Sequence, residues 1–275
     1  MKKKAVYFLR IGVAAWIAAA NAASAAVIVD FNSANYTSSN FASMSGWTSG
    51  IASVPYSDSD YLYPAVNYDS SLPSAKFYGG AVTDGANGLT AYRVANGSGA
   101  WSVDNISVVS NSAGATVTQL VVWKQADFLA LSSGYVAFAS TTKVSLSLQA
   151  GTSRRSAAAR LIIQQSGSYY VSEVIGTAVG TALSNISNVD PTQLDWFNYN
   201  PANLAEIGSS AMLPNLGGLT AVGIWAQGTV TASDTPAVSF GGLTINAAAV
   251  PEPGVAALAG LGLTVLITMG RRSCV

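Results

Sequence analysis

Histidine is absent from this 275-residue chain, and cysteine occurs once, at Cys274. An intrachain disulfide needs two cysteines, so the fold has no covalent cross-link of that kind. Zinc sites built from cysteine and histidine are excluded. Catalytic systems in which histidine activates serine or cysteine are excluded as well. Stability must therefore come from packed apolar surface, and any catalysis would rest on other groups, such as carboxylates.

Charged side chains are also scarce, at 9% of the residues, against about 25% in ordinary globular proteins. Residues 26–249 carry seven cations and twelve anions, a net charge of −5. Nucleic-acid binding needs a clustered Lys/Arg footprint, so we expect no nucleic-acid partner. The same segment is rich in Ser, Thr, Asn, Gly and aromatic residues. That mixture is typical of strands and turns, and low charge with many hydroxyls is common in secreted surface proteins.

Residues 1–25 have the three parts of a secretory signal peptide. Lysines at positions 2–4 and an arginine at position 10 precede the apolar segment 11–20. Ala23-Ser24-Ala25 then offers the small residues that signal peptidase accepts, and we expect cleavage between Ala25 and Ala26. As a helix the apolar segment rises only about 15 Å, half of a hydrocarbon core of about 30 Å. It is therefore too short for the alternative, an uncleaved membrane anchor.

Residues 250–275 contain three further parts in order. Val250-Pro251-Glu252-Pro253-Gly254 is an extended break, because proline fixes its own φ and restrains the residue before it. Residues 255–269 are uncharged and mostly apolar, and Arg271 and Arg272 follow them. At about 25 Å this apolar segment approaches the length that spans a bilayer, and the arginines favour a cytoplasmic end. The pattern predicts a short transmembrane helix whose N-terminus lies outside the cytoplasm.

From Val250 to Arg272, this order of parts resembles the PEP-CTERM sorting domain. The resemblance implies cleavage near Pro251-Glu252-Pro253 by an exosortase, a membrane-embedded cysteine transpeptidase-like enzyme, in a bacterium that makes exopolysaccharide. A plain C-terminal anchor is the alternative, and Ser273-Cys274-Val275 has no counterpart in the pattern. We therefore expect an exported cell-surface or extracellular-matrix protein, anchored in the membrane as a precursor and associated with exopolysaccharide or biofilm.

Residues 26–249 form the predicted passenger domain, and they show no repeat of fixed period and no long amphipathic helix pattern. Short runs of β-branched and aromatic residues, bounded by Gly, Asn, Asp or Ser, predict strands. The predicted strands are Val27–Phe31, Leu89–Val94, Ile106–Val109, Thr116–Trp123, Tyr135–Ala139, Lys143–Leu148, Arg160–Gln165, Leu219–Ala226 and Ala237–Ile245. Many short strands without alternating helices predict an all-β fold, which we assign as a single β-sandwich of jelly-roll type.

Two smaller features refine this prediction. Proline is favoured in the first turn of a helix, so a short helical turn is expected after Pro191 or Pro201. The segments Val222–Trp225 and Phe240–Ile245 resemble the final strands of concanavalin-like and carbohydrate-binding jelly rolls. That second resemblance implies a polysaccharide-binding module as an alternative function.

Tryptophans are the first candidate binding residues, since flat aromatic rings stack on the apolar faces of sugars. Trp123 and Trp225 lie within apolar strands, so they are expected in the core. Trp47, Trp101 and Trp196 have polar or loop-like neighbours, and they are the candidates for glycan binding. Burial at the core or edge of the sandwich is the alternative for these three as well.

Carboxylates supply the remaining candidates. Asp58 and Asp60 lie two positions apart in a polar loop, and calcium takes oxygen ligands from such loops; a solvated acidic loop is the alternative. Asp190 and Asp195 are the pair that a glycosidase would require, although a sequence does not give the distance between them. We expect a non-enzymatic protein with no cofactor unless calcium binds. A polysaccharide-cleaving enzyme is the second alternative to surface or matrix function.

Overall fold

The computed structural model describes residues 25–31, 39–40, 50–58, 76–95, 105–129, 135–212, 214–231 and 233–250. Most of the predicted signal peptide, including Ala23, lies outside these residues. So do Pro251–Val275 with the sorting motif and its apolar segment, and also Trp47, Asp60 and Trp101. Among the described residues, no helix is both long and apolar enough to cross a membrane.

The described chain is almost entirely antiparallel strand, which confirms the all-β prediction. Its strands are β1 (Ala25–Asp30), β2 (Ser39–Asn40), β3 (Ser53–Val54), β4 (Tyr78–Thr83), β5 (Leu89–Ala95), β6 (Asn105–Ser110), β7 (Val117–Lys124), β8 (Tyr135–Ala137), β9 (Lys143–Gln149), β10 (Arg155–Gln165), β11 (Ser168–Val179), β12 (Ser184–Val189), β13 (Trp196–Tyr199), β14 (Ile207–Met212), β15 (Leu219–Val230) and β16 (Ala237–Val250). Single 3-10 turns occupy Gln125–Asp127 and Pro191–Gln193. The second of these confirms the turn expected after Pro191.

The strands form two layers of a curled β-sandwich. One layer has the order β3-β4-β7-β15-β10-β11-β13-β14, and the other has the order β2-β5-β6-β16-β9-β12. Strand β1 also pairs with β16, and β8 pairs with both β15 and β16 and so connects the layers. The sandwich is therefore observed, and its jelly-roll subtype stays a prediction.

The main core lies between the layers and follows the period of two that strands impose on side chains. In β9, Val144, Leu146 and Leu148 are buried while the residues between them are partly exposed. Trp123 is fully buried and packs against the rings of Phe31 and Phe77 at centroid distances of 5.9 and 5.7 Å. Its predicted core position is confirmed.

Trp196 also lies in this core, so its predicted role in glycan binding is wrong. It is 1% exposed, and its indole N–H donates to the carbonyl of Pro191 at 3.2 Å. Its polar sequence neighbours misled the prediction because β13 is short. Asp195 before Trp196 is exposed, and Phe197 after it is half-buried on the opposite face. Trp196 is a structural residue, since a sugar has no access to its ring.

A second apolar cluster covers the outer face of the first layer. Alternation along β7 sends Trp123 into the main core and sends its neighbour Val122 to the opposite face. The second cluster consists of Leu120, Val122, Ile162, Tyr169, Val171, Tyr199, Leu204, Ala221 and Trp225. Trp225 is 2% exposed, which confirms that it is buried. This outer face is thus buried under further parts of the chain.

Two segments cover the outer face: residues 54–56 and the loop between β13 and β14. Gly80 permits their close approach. A Cβ atom there would lie 2.8 Å from the backbone nitrogen of Tyr56 and 3.0 Å from Cδ1 of Leu204. Real Cβ atoms do not come within such distances of backbone atoms, so a side chain at position 80 would push the covering segments away.

Candidate functional site: an asparagine-lined groove

A groove of about 520 Å³ opens beside the second apolar cluster. Pockets of about 300–1,000 Å³ are typical of ligand sites. Its walls come from the turn between β10 and β11 and from the end of β13 with the loop that follows. The lining residues are Gly167, Ser168, Tyr169, Asn198, Tyr199, Asn200, Pro201, Asn203, Glu206, Ile207 and Gly208. We call this site the asparagine groove.

Strand pairing brings these distant residues together. Ser166 and Gly167 adopt positive φ values of 49° and 80°, the conformation of a tight two-residue hairpin turn, which favours glycine. The turn pairs Gln165 with Ser168 and so fixes the register of β10 with β11. On the other side of β11, Tyr169 lies opposite Tyr199, and Tyr199 pairs in turn with Ile207. The side chains of Tyr169, Tyr199 and Ile207 therefore lie side by side as the floor of the groove.

The loop that forms the far wall is anchored at one carbonyl. The oxygen of Leu204 accepts a hydrogen bond from the Tyr199 hydroxyl at 3.0 Å and another from the Trp225 indole N–H at 2.8 Å. Asn200 stabilises the same loop, since its side-chain oxygen accepts from the Ala202 N–H at 3.0 Å. Burial raises the pKa of Tyr199, so this phenol remains a neutral donor. The loop is therefore held to the sheet by buried side chains.

The polar side chains of the groove face solvent. Asn198, Asn203 and Glu206 are exposed, and none of these side chains makes a hydrogen bond or ion pair within the described ranges. As far as the described residues go, their donors and acceptors are unused. The groove thus combines an aromatic and apolar floor with amide and carboxylate walls.

Behind the floor, Tyr169 belongs to a hydrogen-bonded group that we call the Asp58 cluster: Tyr56, Asp58, Lys124 and Tyr169. The Asp58 carboxylate oxygen Oδ1 accepts from Tyr56 at 2.6 Å and from Tyr169 at 2.7 Å. The Lys124 ammonium lies 3.0 Å from the same oxygen and also donates to the Asp58 carbonyl at 2.5 Å. This cluster fastens residues 54–58 over the sheet and fixes the Tyr169 ring.

The pKa values of the two phenols and of the carboxylate shift in opposite directions. Burial is the main cause that raises the pKa of Tyr56 and of Tyr169. Burial also acts to raise the pKa of Asp58, but hydrogen bonds from both phenols and from Lys124, with the charge of Lys124, leave it below its ordinary value. At neutral pH the cluster is therefore two neutral phenols around one compensated ion pair.

We expect the Asp58→Asn substitution to lower the free energy of unfolding by about 1 kcal/mol at neutral pH. Hydrogen bonds to charged groups contribute about 1.5–3 kcal/mol, and the 52% exposure of the Asp58 side chain reduces that figure. Because the pKa of Asp58 is lower in the folded than in the unfolded chain, its carboxylate stabilises the folded state at pH values above the unfolded-state pKa. This contribution is lost as the pH falls through the folded-state pKa. Urea unfolding should therefore show the difference from wild type shrinking below about pH 4.

The control is Asp195→Asn, because that carboxylate is exposed and forms no hydrogen bond within the described part of the chain. It should unfold like wild type at every pH. A constant difference for Asp58→Asn from pH 7 down to pH 3 would show that the ionised carboxylate is not what fastens residues 54–58 over the sheet.

The other predicted carboxylate sites are placed as follows. Asp58 is occupied by Lys124 and the two phenols, and no group of three metal-ligating side chains is present among the described residues; calcium at Asp58 and Asp60 stays a prediction. Asp190 accepts from the Thr192 N–H and hydroxyl at 3.0 and 2.7 Å. These bonds, the hydroxyl first, lower its pKa. Asp190 thus caps the 3-10 turn at Pro191.

Neither a family model nor a curated protein matches the chain. Among solved structures, a family 11 carbohydrate-binding module from Clostridium thermocellum, in complex with a beta-1,3-1,4-mixed-linked tetrasaccharide, is 9% identical. The alignment covers 61% of this chain and 87% of that one, at a TM-score of 0.33. The family 11 module of the cellulase Lic26A-Cel5E from the same organism is 8% identical. That alignment covers 61% of this chain and 86% of that one, at a TM-score of 0.34. A cyclase from Fischerella sp. TAU is 13% identical, over 83% of this chain and 100% of that one, at a TM-score of 0.26. Scores of this size do not establish a common fold or a common function.

Proposed function

We propose that this chain is an exported, non-catalytic protein that binds polysaccharide in the asparagine groove. The observation that supports this function is the set of three exposed polar side chains, Asn198, Asn203 and Glu206, that have no partner within the described residues and surround a floor containing Tyr169 and Tyr199. Ligand sites are typically a largely apolar surface with a few convergent polar groups.

Sugars match this combination of groups. Neighbouring hydroxyls on a sugar ring both donate and accept hydrogen bonds, and an amide side chain offers a donor and an acceptor on one plane. The carboxylate of Glu206 accepts only, and its hydrogen bonds to hydroxyls are the stronger, charge-assisted kind. The C–H faces of the sugar would lie over the apolar floor. An open groove of this kind accepts an internal stretch of a long chain.

The carboxylates support binding without cleavage. Glycosidases use two carboxyl groups on opposite sides of the scissile bond, and Glu206 is the single carboxylate among the residues that line the groove. Asp190 is committed to capping the turn at Pro191. A polysaccharide-cleaving enzyme therefore has no supporting carboxylate pair in the groove.

The double substitution Asn198→Ala with Asn203→Ala tests the groove. If each amide forms one hydrogen bond with a net value of about 1 kcal/mol, affinity for a bound polysaccharide should fall about 30-fold. Affinity gel electrophoresis with soluble polysaccharides measures this change. Asn185→Ala is the matched control, since Asn185 is an exposed asparagine on β12 in the other layer. Equal retardation of the double variant and wild type in every polysaccharide would rule out the groove as the site.

Export and sorting complete the proposal. The predicted signal peptide ends where β1 begins, at Ala25, and the Pro251-Glu252-Pro253 motif starts where β16 ends, at Val250. The partners are then signal peptidase, exosortase and an extracellular polysaccharide. The precursor is held in the membrane by residues 255–269 before processing, and the mature protein acts at the cell surface or in the matrix.

A further inference from the structure

From the charges of the asparagine groove we infer that its ligand is a neutral polysaccharide, without carboxylate or sulfate groups. This inference rests on the proposed function and restricts its substrate class. Glu206 is the single charged residue among those that line the groove. A polyanion would bring a second negative charge beside this carboxylate, with no lysine or arginine in the lining to offset it.

Two cations among the described residues, Lys124 and Arg160, contact side chains beside the groove, and both are already paired. Lys124 contacts the Asp58 carboxylate at 3.0 Å, behind the floor. Arg160 donates to the carbonyl of Ser172 at 2.8 Å, and its guanidinium lies 5.7 Å from the centroid of the Trp225 ring. Recruiting either cation to a ligand would break these contacts. Polyanion sites need positive charge that is both near and free, and the asparagine groove has negative charge instead.

The floor adds no charge of either sign. Burial raises the pKa of Tyr169 and of Tyr199, so both phenols stay neutral. Their hydroxyls are also engaged, with Asp58 and with the Leu204 carbonyl respectively. Tyr169 and Tyr199 are only 6% and 7% exposed, so they close the groove from below, and the contacts to a ligand come mainly from the exposed side chains of the walls. Hydroxyl-rich neutral sugars satisfy the amides and Glu206 without any unpaired charge.

Binding should be measured on the full-length chain with a soluble neutral β-glucan, a neutral galactomannan and alginate, which is a polyuronate. We expect at least one neutral polysaccharide to bind in a salt-independent way and alginate to bind much more weakly than that neutral ligand. In the Glu206→Gln variant, affinity for the neutral ligand should fall about fivefold, as one charge-assisted bond becomes a neutral one. Affinity for alginate should rise by about fivefold, because one like-charge contact is removed.

The control is Glu173→Gln, since Glu173 is exposed and does not line the groove; it should leave both affinities unchanged. The wild type could instead prefer alginate to the neutral polysaccharides and lose that binding in the double asparagine variant. This result would overturn the neutral assignment and leave the groove as a polysaccharide site. Binding to neutral polysaccharides that Asn198→Ala with Asn203→Ala leaves intact would overturn both the groove and this inference.

Discussion

Replacement of Trp225 with alanine is expected to lower the free energy of unfolding by about 3–5 kcal/mol, the range for truncating a buried tryptophan. Trp225 is 2% exposed and belongs to the second apolar cluster. Its indole N–H donates at 2.8 Å to the Leu204 carbonyl, and the Arg160 guanidinium lies over its ring. The substitution therefore removes apolar contacts and leaves a cavity under the loop that forms the wall of the groove.

The same change should also abolish polysaccharide binding, because the Leu204 carbonyl loses one of its two donors. Trp123→Ala is the matched control. Trp123 is fully buried on β7 in the main core and takes no part in the groove. Urea unfolding should give similar losses of stability for both variants. Binding measured where each variant is folded should be lost only for Trp225→Ala.

A milder substitution separates packing from the hydrogen bond. Trp225→Phe keeps an aromatic ring in the second apolar cluster but has no N–H for the Leu204 carbonyl. We expect it to fold, with affinity reduced by less than in the alanine variant. Normal affinity in a folded Trp225→Ala variant would contradict the anchoring of the groove wall by Trp225.

Replacement of Pro251-Glu252-Pro253 with three alanines is expected to stop release of the mature protein almost completely. The full-length precursor should accumulate in the membrane, because residues 255–269 would still hold it there. An immunoblot of the membrane and external fractions distinguishes the full-length precursor from the smaller mature protein. This outcome follows from the proposed recognition of the motif by an exosortase.

A substitution in the passenger domain provides the control. Ser233→Ala, at an exposed position before β16, leaves the sorting motif intact, and release should be normal. The apolar segment also needs its basic end, so Arg271→Ala with Arg272→Ala should again leave the precursor unprocessed. Release at normal size and rate from the triple-alanine variant would refute exosortase-dependent sorting.

Strands with clean alternation or dense β-branched residues could be predicted from the sequence. The prediction Lys143–Leu148 matches β9 to one residue, and Thr116–Trp123 nearly coincides with β7. Strand β11 and its neighbours β12–β14 were missed. The pairing of β10 with β11 changes register around Arg160, and Val174 is 40% exposed. A bulge of this kind interrupts the period of two on which the sequence method depends.

The asparagine groove was missed for a different reason. Gly167–Tyr169 and Asn198–Gly208 are separated by about 30 positions in the sequence, and only the pairing of β11 with β13 brings them together. The closest sequence signal was the run Asn198-Tyr199-Asn200, followed by Asn203 and Glu206. Repeated asparagines also mark ordinary turns, so this run does not by itself indicate a binding site.

Strand β16 has a consequence for the order in which the protein folds. It pairs with β1, β6, β8 and β9, although it follows every other described strand in the chain. Ala25 of β1 pairs with Ala248, so the first described strand finds this partner only after β16 has been made. Folds dominated by such distant pairings form in about milliseconds to seconds. The second layer therefore closes only after β16 has been made, and a chain halted before residue 237 would leave β6 and β9 without the strand that joins them.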